Sequence, residues 1–376
     1  MRKSYKFRAY PTKAQAAAME TMVETHRHRY NRALSERKDT WERQQRGVSY
    51  GDQSATLKVQ RLANPYLAAT NFSSCQATLR RLDTAFQAFF RRVKAGDKPG
   101  YPRFRGRGRY DTVVFPSYGD GGKLRDGRAY FQHIDAVKVK LHRPIEGRIK
   151  TMAFKREADG WYVVCSCDLG NVTVAPSTNP AVGIDLGLQA FLTTSDGGSV
   201  PPPKFYRSAH RKLRRAQRHL SRGQKGSKRR QKARERVARL HQHIGNQRRD
   251  WHHKTALSLI SRYGTVAHET LNIAGLARTR LAKSALDAGW RQFLGILTHK
   301  AEGAGVSVMA VDARNTTQAC SDCGCLTAVP LTLRDRVYHC ASCGYTADRD
   351  LTAALNIRNR LGWSRQALTG TVVPVA

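Results

Sequence analysis

The segment Ala181-Val-Gly-Ile-Asp-Leu-Gly-Leu188 places a single carboxylate, Asp185, in the middle of a short apolar run. The apolar pattern resumes over residues 189–194, and Ser195-Asp-Gly-Gly198 follows with the composition of a turn. The stretch predicts a β-hairpin with an acid on a buried strand. Desolvation penalises a charge in such a place, so something must compensate it. A bound cation would do so, and so would one of the chain's many basic side chains. On this stretch alone both remain open.

Lys and Arg total 66 against 28 Asp and Glu in 376 residues, a formal net charge of +38. A folded chain this basic repels itself unless a polyanion neutralises it, and nucleic acid is the natural counterpart. An anionic membrane is the rival. It calls for a basic amphipathic helix or a lipidation signal, whereas here basic residues run the whole length. The start, Met1-Arg-Lys-Ser-Tyr-Lys-Phe7, lacks the apolar core of a signal peptide, and no stretch approaches the ~18 apolar residues of a membrane span. The expectation is a cytosolic protein whose eight cysteines are free or metal-bound rather than disulfide-linked. Apolar residues at 40% suffice for a folded core, and the length suits about two or three modules.

Residues 4–10 alternate, with Tyr5, Phe7 and Ala9 on one face and Lys6 and Arg8 on the other, predicting a strand that Pro11 stops. Thr12 and Gln15 have capping-box spacing, and Met19, Met22, Val23, His26, Tyr30 and Leu34 continue at helical period. A second helix is predicted over 73–94, where Leu79, Leu82, Ala85, Phe86, Phe89 and Phe90 form an apolar side that reads as core. Gly96 and Gly100 bound a break. After it, Pro102-Arg-Phe-Arg-Gly-Arg-Gly-Arg-Tyr110 interleaves arginines with Phe104 and Tyr110, a composition suited to stacking on bases and pairing with phosphates. Arg103 and Arg105 are candidate contacts there. Short β segments run over 111–168 and end at Trp161-Tyr-Val-Val-Cys-Ser-Cys167. If the first strand joins them, the helical segment is an insertion in a β module, and 169–180 is a linker.

Beyond the hairpin and Pro201-Pro-Pro203, Glu235 is the only acid between Arg207 and Arg249. Leu213, Leu220, Val237, Leu240 and Ile244 keep helical spacing on either side of residues 223–226. They predict an antiparallel helix pair with thin apolar seams and cationic outer faces. So one-sided a run needs phosphate nearby, making Arg211, Arg214 and Arg215 candidate contacts. A strand over 264–269, a single helix over 284–304 and a strand over 306–311 form a β-α-β unit, which implies parallel pairing. Leu286, Trp290, Phe293, Leu294 and Leu297 make the apolar face of that helix.

Cys320-x-x-Cys323 and Cys340-x-x-Cys343 are separated by sixteen residues, a spacing that suits a four-thiolate structural Zn²⁺ site. Such an ion stabilises its local fold by on the order of 10 kcal/mol. Cys325 reads as a bystander, and Cys75, Cys165 and Cys167 as ordinary buried residues. Three acids stand at element ends: Asp185, Glu269 closing a second apolar strand, and Asp350, the natural N-cap of a helix over 351–357. Singly each reads as a cap or an ion-pair partner. Converging on one sheet edge, they would repel by ~1–4 kcal/mol per pair at ~4 Å, a penalty that Mg²⁺ or Mn²⁺ removes. Two such ions ~4 Å apart would activate a water and stabilise the leaving oxygen in phosphodiester hydrolysis. Residues around Lys225 lack P-loop spacing, and no Ser-His-Asp pattern competes.

The three acids, the cysteine pairs lodged between the second and third, and the basic helical insertion after the first together resemble the TnpB family. Its members are transposon-encoded RNA-guided endonucleases related to type V CRISPR effectors. The resemblance covers nearly the whole chain. It includes Tyr10-Pro-Thr12, Gly100-Tyr-Pro-Arg-Phe104, Gly183-Ile-Asp-Leu-Gly187, Asp287-Ala-Gly-Trp290, Thr317-Gln-x-Cys320-x-x-Cys323-Gly324 and Asp348-Arg-Asp-Leu-Thr-Ala-Ala-Leu-Asn-Ile357. It implies an α/β multidomain protein: a RuvC-like RNase H fold with an inserted zinc ribbon, plus an N-terminal β-barrel-like wedge module carrying a helical recognition insertion. On that organisation the wedge occupies 1–11 and 100–176, and the recognition domain 12–99. The nuclease domain occupies 177–317 and 347–376, tail included, with the ribbon at 318–346.

The resemblance further implies Mg²⁺ (or Mn²⁺) on catalytic Asp185, Glu269 and Asp350, and Zn²⁺ on Cys320, Cys323, Cys340 and Cys343. A guide RNA from the transposon end would direct cutting of both strands of double-stranded DNA beside a short motif, with base pairing reading the sequence. No protein partner or membrane is required, and the setting is the prokaryotic cytosol at the nucleoid. By the same resemblance Tyr50, Ser54, Phe72, Gln76 and Thr112 are candidates for touching the target-adjacent motif. The chain departs from the family at Thr270, where an acid often follows the catalytic Glu, and at Thr352, where Asn is preferred. Neither change removes a metal ligand, though both alter the support around it.

Overall fold

The computed structural model describes residues 1–171, 173–332 and 334–362. The chain divides into two compact units, Met1–Val172 and Thr173–Ala376. The tail 363–376, expected to complete the nuclease domain, lies outside the described residues. Among the described residues no helix is long and apolar enough to cross a membrane.

In the first unit, strand β1 (Arg2–Tyr10) buries alternate side chains Tyr5, Phe7 and Ala9, as its period-2 pattern requires. Thr12 then opens helix α1 (Lys13–Gln44) through a full capping box with Gln15. Short helices α2 (Tyr50–Ala55), α3 (Leu57–Leu62) and α4 (Pro65–Ala68) lead to α5 (Phe72–Lys94), which packs on α1. Six strands follow: β2 (Thr112–Phe115), β3 (Gly122–Arg125), β4 (Arg128–Phe131), β5 (Asp135–Lys140), β6 (Arg148–Glu157) and β7 (Gly160–Asp168). The sheet order is β2-β6-β7-β1-β5-β4-β3, with every pairing antiparallel. Because β1 lies between β7 and β5, the helices are an insertion between the first strand of the sheet and the rest. One apolar core, including Phe7, Met19, Leu34, Leu82, Phe115 and Phe154, joins sheet and helices. The apolar side of α5 is core only in part. Phe86 is buried, but Phe90, in the last turns, is 60% exposed, and its ring packs on Phe86 and Phe89.

In the second unit, β8 (Ala181–Asp185) pairs antiparallel with β9 (Leu192–Thr194), Asp185 facing Thr193. The turn at 195–198 leads to a further strand, β10 (Ser199–Val200), too short to be signalled by alternation. Helices α6 (Phe205–Arg222) and α7 (Lys228–Ile260) pack on each other and return the chain to β11 (Thr265–Glu269) beside β8. After α8 (Ile273–Leu276), the single helix expected over 284–304 is two, α9 (Ala282–Ala288) and α10 (Trp290–Glu302). They divide at Gly289, whose φ of +68° is a left-handed conformation that ends a helix. The crossover finishes in β12 (Ser307–Val311), parallel to β11, which is itself parallel to β8.

The resulting sheet has the order β10-β9-β8-β11-β12. A small hairpin of β13 (Val337–His339) and β14 (Thr346–Asp348) follows, and α11 (Arg349–Asn359) packs back on β8. Ile184, Phe191, Leu259, Trp290, Phe293 and Leu297 share one core between this sheet, α7 and α10. Gly183 sets how near α11 can come. A Cβ at this position would lie 2.1 Å from the Ala354 carbonyl oxygen and 2.5 Å from the Arg358 nitrogen.

Candidate active site and metal centre

Asp185 and Glu269 end adjacent parallel strands, and α11 carries Asp350 in its first turn. The N-cap role expected of Asp350 belongs to Asp348. Its Oδ1 accepts from the Asp350 N–H at 2.8 Å and the Leu351 N–H at 3.1 Å. Strand β14 runs directly into α11, so the helix starts earlier than expected and Asp350 has no capping duty. Its carboxylate instead meets Arg349 at 3.2 Å and Arg336 at 3.8 Å.

Asp185 is 8% exposed. Burial pushes its carboxyl up to about 8, the charges of Glu269 and Asp350 push the same way, and Arg349 opposes them. Arg349 is already committed, to Asp350 and to the Thr332 carbonyl at 2.8 Å. Burial likewise raises Glu269, eased by the Thr316 hydroxyl donating to Oε2 at 3.3 Å and by Arg360. Asn356 Nδ2 donates to the carbonyls of Thr316 at 2.9 Å and Ala319 at 2.7 Å, tying α11 to the segment that leads into the cysteines. Neither Thr316 nor Asn356 was signalled as functional. The available hint was an amide inside the apolar period of Leu351-Thr-Ala-Ala-Leu-Asn-Ile357. Thr270 and Thr352 spend their hydroxyls on backbone, donating to Val311 O and Asp348 O, each at 3.0 Å. A cleft of about 1000 Å³ is lined by Asp312, Arg314, Asn356, Arg360 and the first cysteine pair.

The four cysteine Sγ atoms lie within 4.8 Å of one another, the one group of three or more candidate ligands this close among the described residues. The three carboxylates are not drawn together to that degree. The Cys320–Cys343 and Cys323–Cys340 separations, 3.7 and 3.6 Å, match the ~3.8 Å edge of a tetrahedron with ~2.3 Å Zn–S bonds. The two knuckles are built alike. Cys320 N–H donates to Cys325 O at 2.9 Å and Gly324 N–H to Cys320 O at 3.1 Å. In the second, Cys340 N–H donates to Tyr345 O at 2.8 Å and Gly344 N–H to Cys340 O at 2.9 Å. Gly324 and Gly344, at φ +77° and +76°, supply the left-handed turn that each knuckle needs. Cys325 stands outside the cluster beside Ser342, and Cys75, Cys165 and Cys167 are buried. The donor set fits Zn²⁺.

Arg211, Arg214 and Arg215 are exposed on α6, whereas Leu213 and Ala216 are buried. Arg103 is exposed, but Arg105 lies over the Tyr30 ring at 5.5 Å, and its backbone N–H donates to Asn31 at 2.7 Å. Tyr110, expected on the same surface, is 2% exposed and hydrogen-bonded to Thr78 at 3.1 Å, so it is core. An aromatic between arginines reads the same whether it faces a base or anchors its loop inward. Gln76 Nε2 donates to Ser54 at 3.1 Å and Arg80 lies over Tyr50, which brings these candidates together where α2 meets α5. Phe72 opens α5 with the Arg61 guanidinium 5.8 Å from its ring, and Thr112, on β2, donates to Asp111 at 2.7 Å.

Residues 164–280 match the OrfB family of IS605 type, described as "Probable transposase", and residues 290–357 match "Cas12f1-like, TNB domain". Residues 1–46 match the "Helix-turn-helix domain" of the same OrfB type, although here they form one strand and one long helix. The "Putative RNA-guided DNA endonuclease" of Streptomyces pristinaespiralis is 33% identical over 374 residues, spanning 95% of this chain and 89% of that protein. The "Putative RNA-guided DNA endonuclease InsQ" of Escherichia coli (strain K12) is 28% identical, spanning 94% and 91%. The protein in the "Cryo-EM structure of the Cas12f1-sgRNA-target DNA complex" shares the mixed α/β fold at a TM-score of 0.56, with 14% identity over 93% of this chain and 83% of that one. The chain belongs to the TnpB (OrfB, IS605-type) family.

Proposed function

We propose that this chain is a guide-RNA-directed, divalent-metal-dependent DNA endonuclease. The observation that carries the reading is the placement of Asp185 and Glu269 at the ends of adjacent parallel strands, with Asp185 buried and its carboxyl pushed up to about 8 by burial and by the charges of Glu269 and Asp350. The sheet order, a three-strand meander extended by two parallel strands, supports a RuvC-like RNase H domain. Oxygen-only donors suit Mg²⁺ or Mn²⁺. When bound, the ions supply acidification of an attacking water and charge stabilisation of the phosphate and leaving oxygen, by a two-ion route. The chain's own residues prepare the place. Asp185 is fixed by β8, Glu269 is oriented by Thr316, and Asp350 rides on a helix that Gly183 admits and Asn356 tethers.

Relatives named as RNA-guided DNA endonucleases match nearly the full length, and the +38 charge with exposed Arg211, Arg214 and Arg215 offers phosphate a surface. In this reading 1–11 and 100–176 form a wedge module and 12–99 the recognition helices. The nuclease domain is 177–317 with 347–376, and 318–346 is a ribbon on structural Zn²⁺. Tyr50, Ser54, Phe72, Gln76 and Thr112 meet the target-adjacent motif. A guide RNA transcribed from the transposon end reads the target by pairing, and the single acid site cuts both strands.

Expression together with the flanking transposon DNA tests the proposal. It expects a defined co-purifying RNA and Mg²⁺-dependent cutting of a matching duplex. DNA cutting by RNA-free protein would favour an RNA-independent transposase of the same fold. An RNA-bound form that binds matched DNA and never cuts it would favour a guided repressor.

A further inference from the structure

Helix α6 begins without a cap of its own. Its N-cap residue, Lys204, sits at φ +49°, ψ +39° and makes no capping hydrogen bond, and the first turn carries no acid. The free N–H groups of that turn need acceptors, and a cationic helix makes the positive end of its dipole harder to accommodate. The acceptor comes from eighty residues downstream. Tyr206 N–H donates to Asp287 Oδ1 at 2.9 Å and Oδ2 at 3.1 Å, and Arg207 N–H donates to Oδ2 at 3.2 Å. These are the second and third helical N–H groups, the ones a local capping side chain serves.

Asp287 also pairs with Arg248 of α7 at 3.3 Å, and its own side chain is 4% exposed. Around it, Arg207 reaches the Ser284 hydroxyl at 2.6 Å, and His252 Nε2 donates to the Ala288 carbonyl at 3.0 Å. Gly289 lets both α7 side chains close in, since a Cβ there would meet Arg248 Cδ at 3.0 Å and His252 Cε1 at 3.3 Å. The elbow Asp287-Ala-Gly-Trp290 therefore grips both arms of the basic helix pair.

We infer that Asp287 is a positioning residue for nucleic acid: through Tyr206, Arg207 and Arg248 it fixes the direction in which α6 presents Arg211, Arg214 and Arg215. These arginines recur at i, i+3 and i+4 and form one exposed stripe. The helix pair is inserted between β10 and β11, hence between the strands that end in Asp185 and Glu269. Phosphates held on the stripe keep a fixed register to those acids only if the base of the pair is fixed. What the stripe binds rests on the proposed function, whereas the clamp itself does not.

The test uses the full chain with its co-purified guide RNA, as wild type, Asp287→Ala and Asp287→Asn. Hydrogen exchange is followed at Tyr206, Arg207, β8 and β11, alongside single-turnover cutting of a matched duplex. In the alanine variant, exchange at Tyr206 and Arg207 should accelerate on the order of tenfold, the fold-change of one lost helix cap, while β8 and β11 stay protected. Cutting should fall by a similar factor or more. The asparagine variant, which keeps an acceptor oxygen, should lie between the other two. Unchanged exchange at Tyr206 and Arg207, wild-type cutting despite faster exchange, or equal loss of protection in β8 and β11 would each overturn the inference. If the wild-type complex does not cut at all, the proposed function fails, and the exchange measurement still decides the clamp.

Discussion

Replacing Asp185 by Asn should make the metal-free protein more stable at neutral pH, by an amount that grows with pH. Burial, then the charges of Glu269 and Asp350, push the Asp185 carboxyl from 3.8 to about 8. A folded-state value above the unfolded one means a contribution that is whole below pH ~4 and is lost as pH rises through ~8. At neutral pH the unfolded chain has released this proton and most folded molecules keep it. The interval from 3.8 to about pH 7 then corresponds to destabilisation on the order of 4 kcal/mol, growing by ~1.4 kcal/mol per pH unit. Asn carries no charge and removes this slope. Urea unfolding in EDTA between about pH 5 and pH 7, with hydrogen exchange at β8 and β11 reporting on the second unit, measures it. The variant should gain on the wild type by ~1.4 kcal/mol per pH unit, and Mg²⁺ should stabilise the wild type more than the variant. Equal slopes, or a variant less stable than wild type at neutral pH, would refute the view of Asp185 as a buried charge suited to a cation.

Gly183→Ala puts a methyl group 2.1 Å from the Ala354 carbonyl oxygen, so α11 must retreat by roughly 1 Å, at a cost of ~1–3 kcal/mol. Asp350 moves with the helix, so single-turnover cutting should drop about 100-fold while guide-RNA affinity, read by filter binding, holds. Elemental analysis should find Zn²⁺ in the wild type and none in Cys340→Ser, and the variant should exchange faster across 318–346, with β8 and β11 still protected. Retained zinc would contradict the four-thiolate assignment. Thr316→Val removes a hydrogen bond that lowers the Glu269 pKa, so the pH midpoint of Mg²⁺ affinity should move upward. An unmoved midpoint would show that Thr316 does not support Glu269.

Features set by local rules were legible in the sequence. Alternation gave β1, Thr12 and Gln15 gave the start of α1, and two apolar strands around a helix gave the parallel pairing of β11 and β12. Features set by long-range geometry were not. The break at Gly289, a left-handed residue against which Arg248 and His252 of α7 pack, hides inside an unbroken apolar period. Asp348 displaced Asp350 as N-cap because β14 runs straight into α11, and two aspartates two residues apart look equally able to cap. Tyr110 and Phe90 exchanged their expected places, one buried and one exposed, since composition does not say which way a ring faces. Asp287 was visible only as part of a motif, because its partners Tyr206 and Arg207 lie across the whole basic insertion.

The proposed function requires Asp185, Glu269 and Asp350 to form one cutting site directed by a bound RNA. The most direct measurement compares wild-type and Asp185→Ala complexes, each purified with its RNA, on matched and mismatched duplexes in the presence of Mg²⁺. The wild type should cut both strands of the matched duplex and leave the mismatched one intact, and the variant should retain the same RNA and cut neither. Cutting of either strand by the Asp185→Ala complex, or equal cutting of the mismatched duplex by the wild type, would contradict a single RNA-directed acid site.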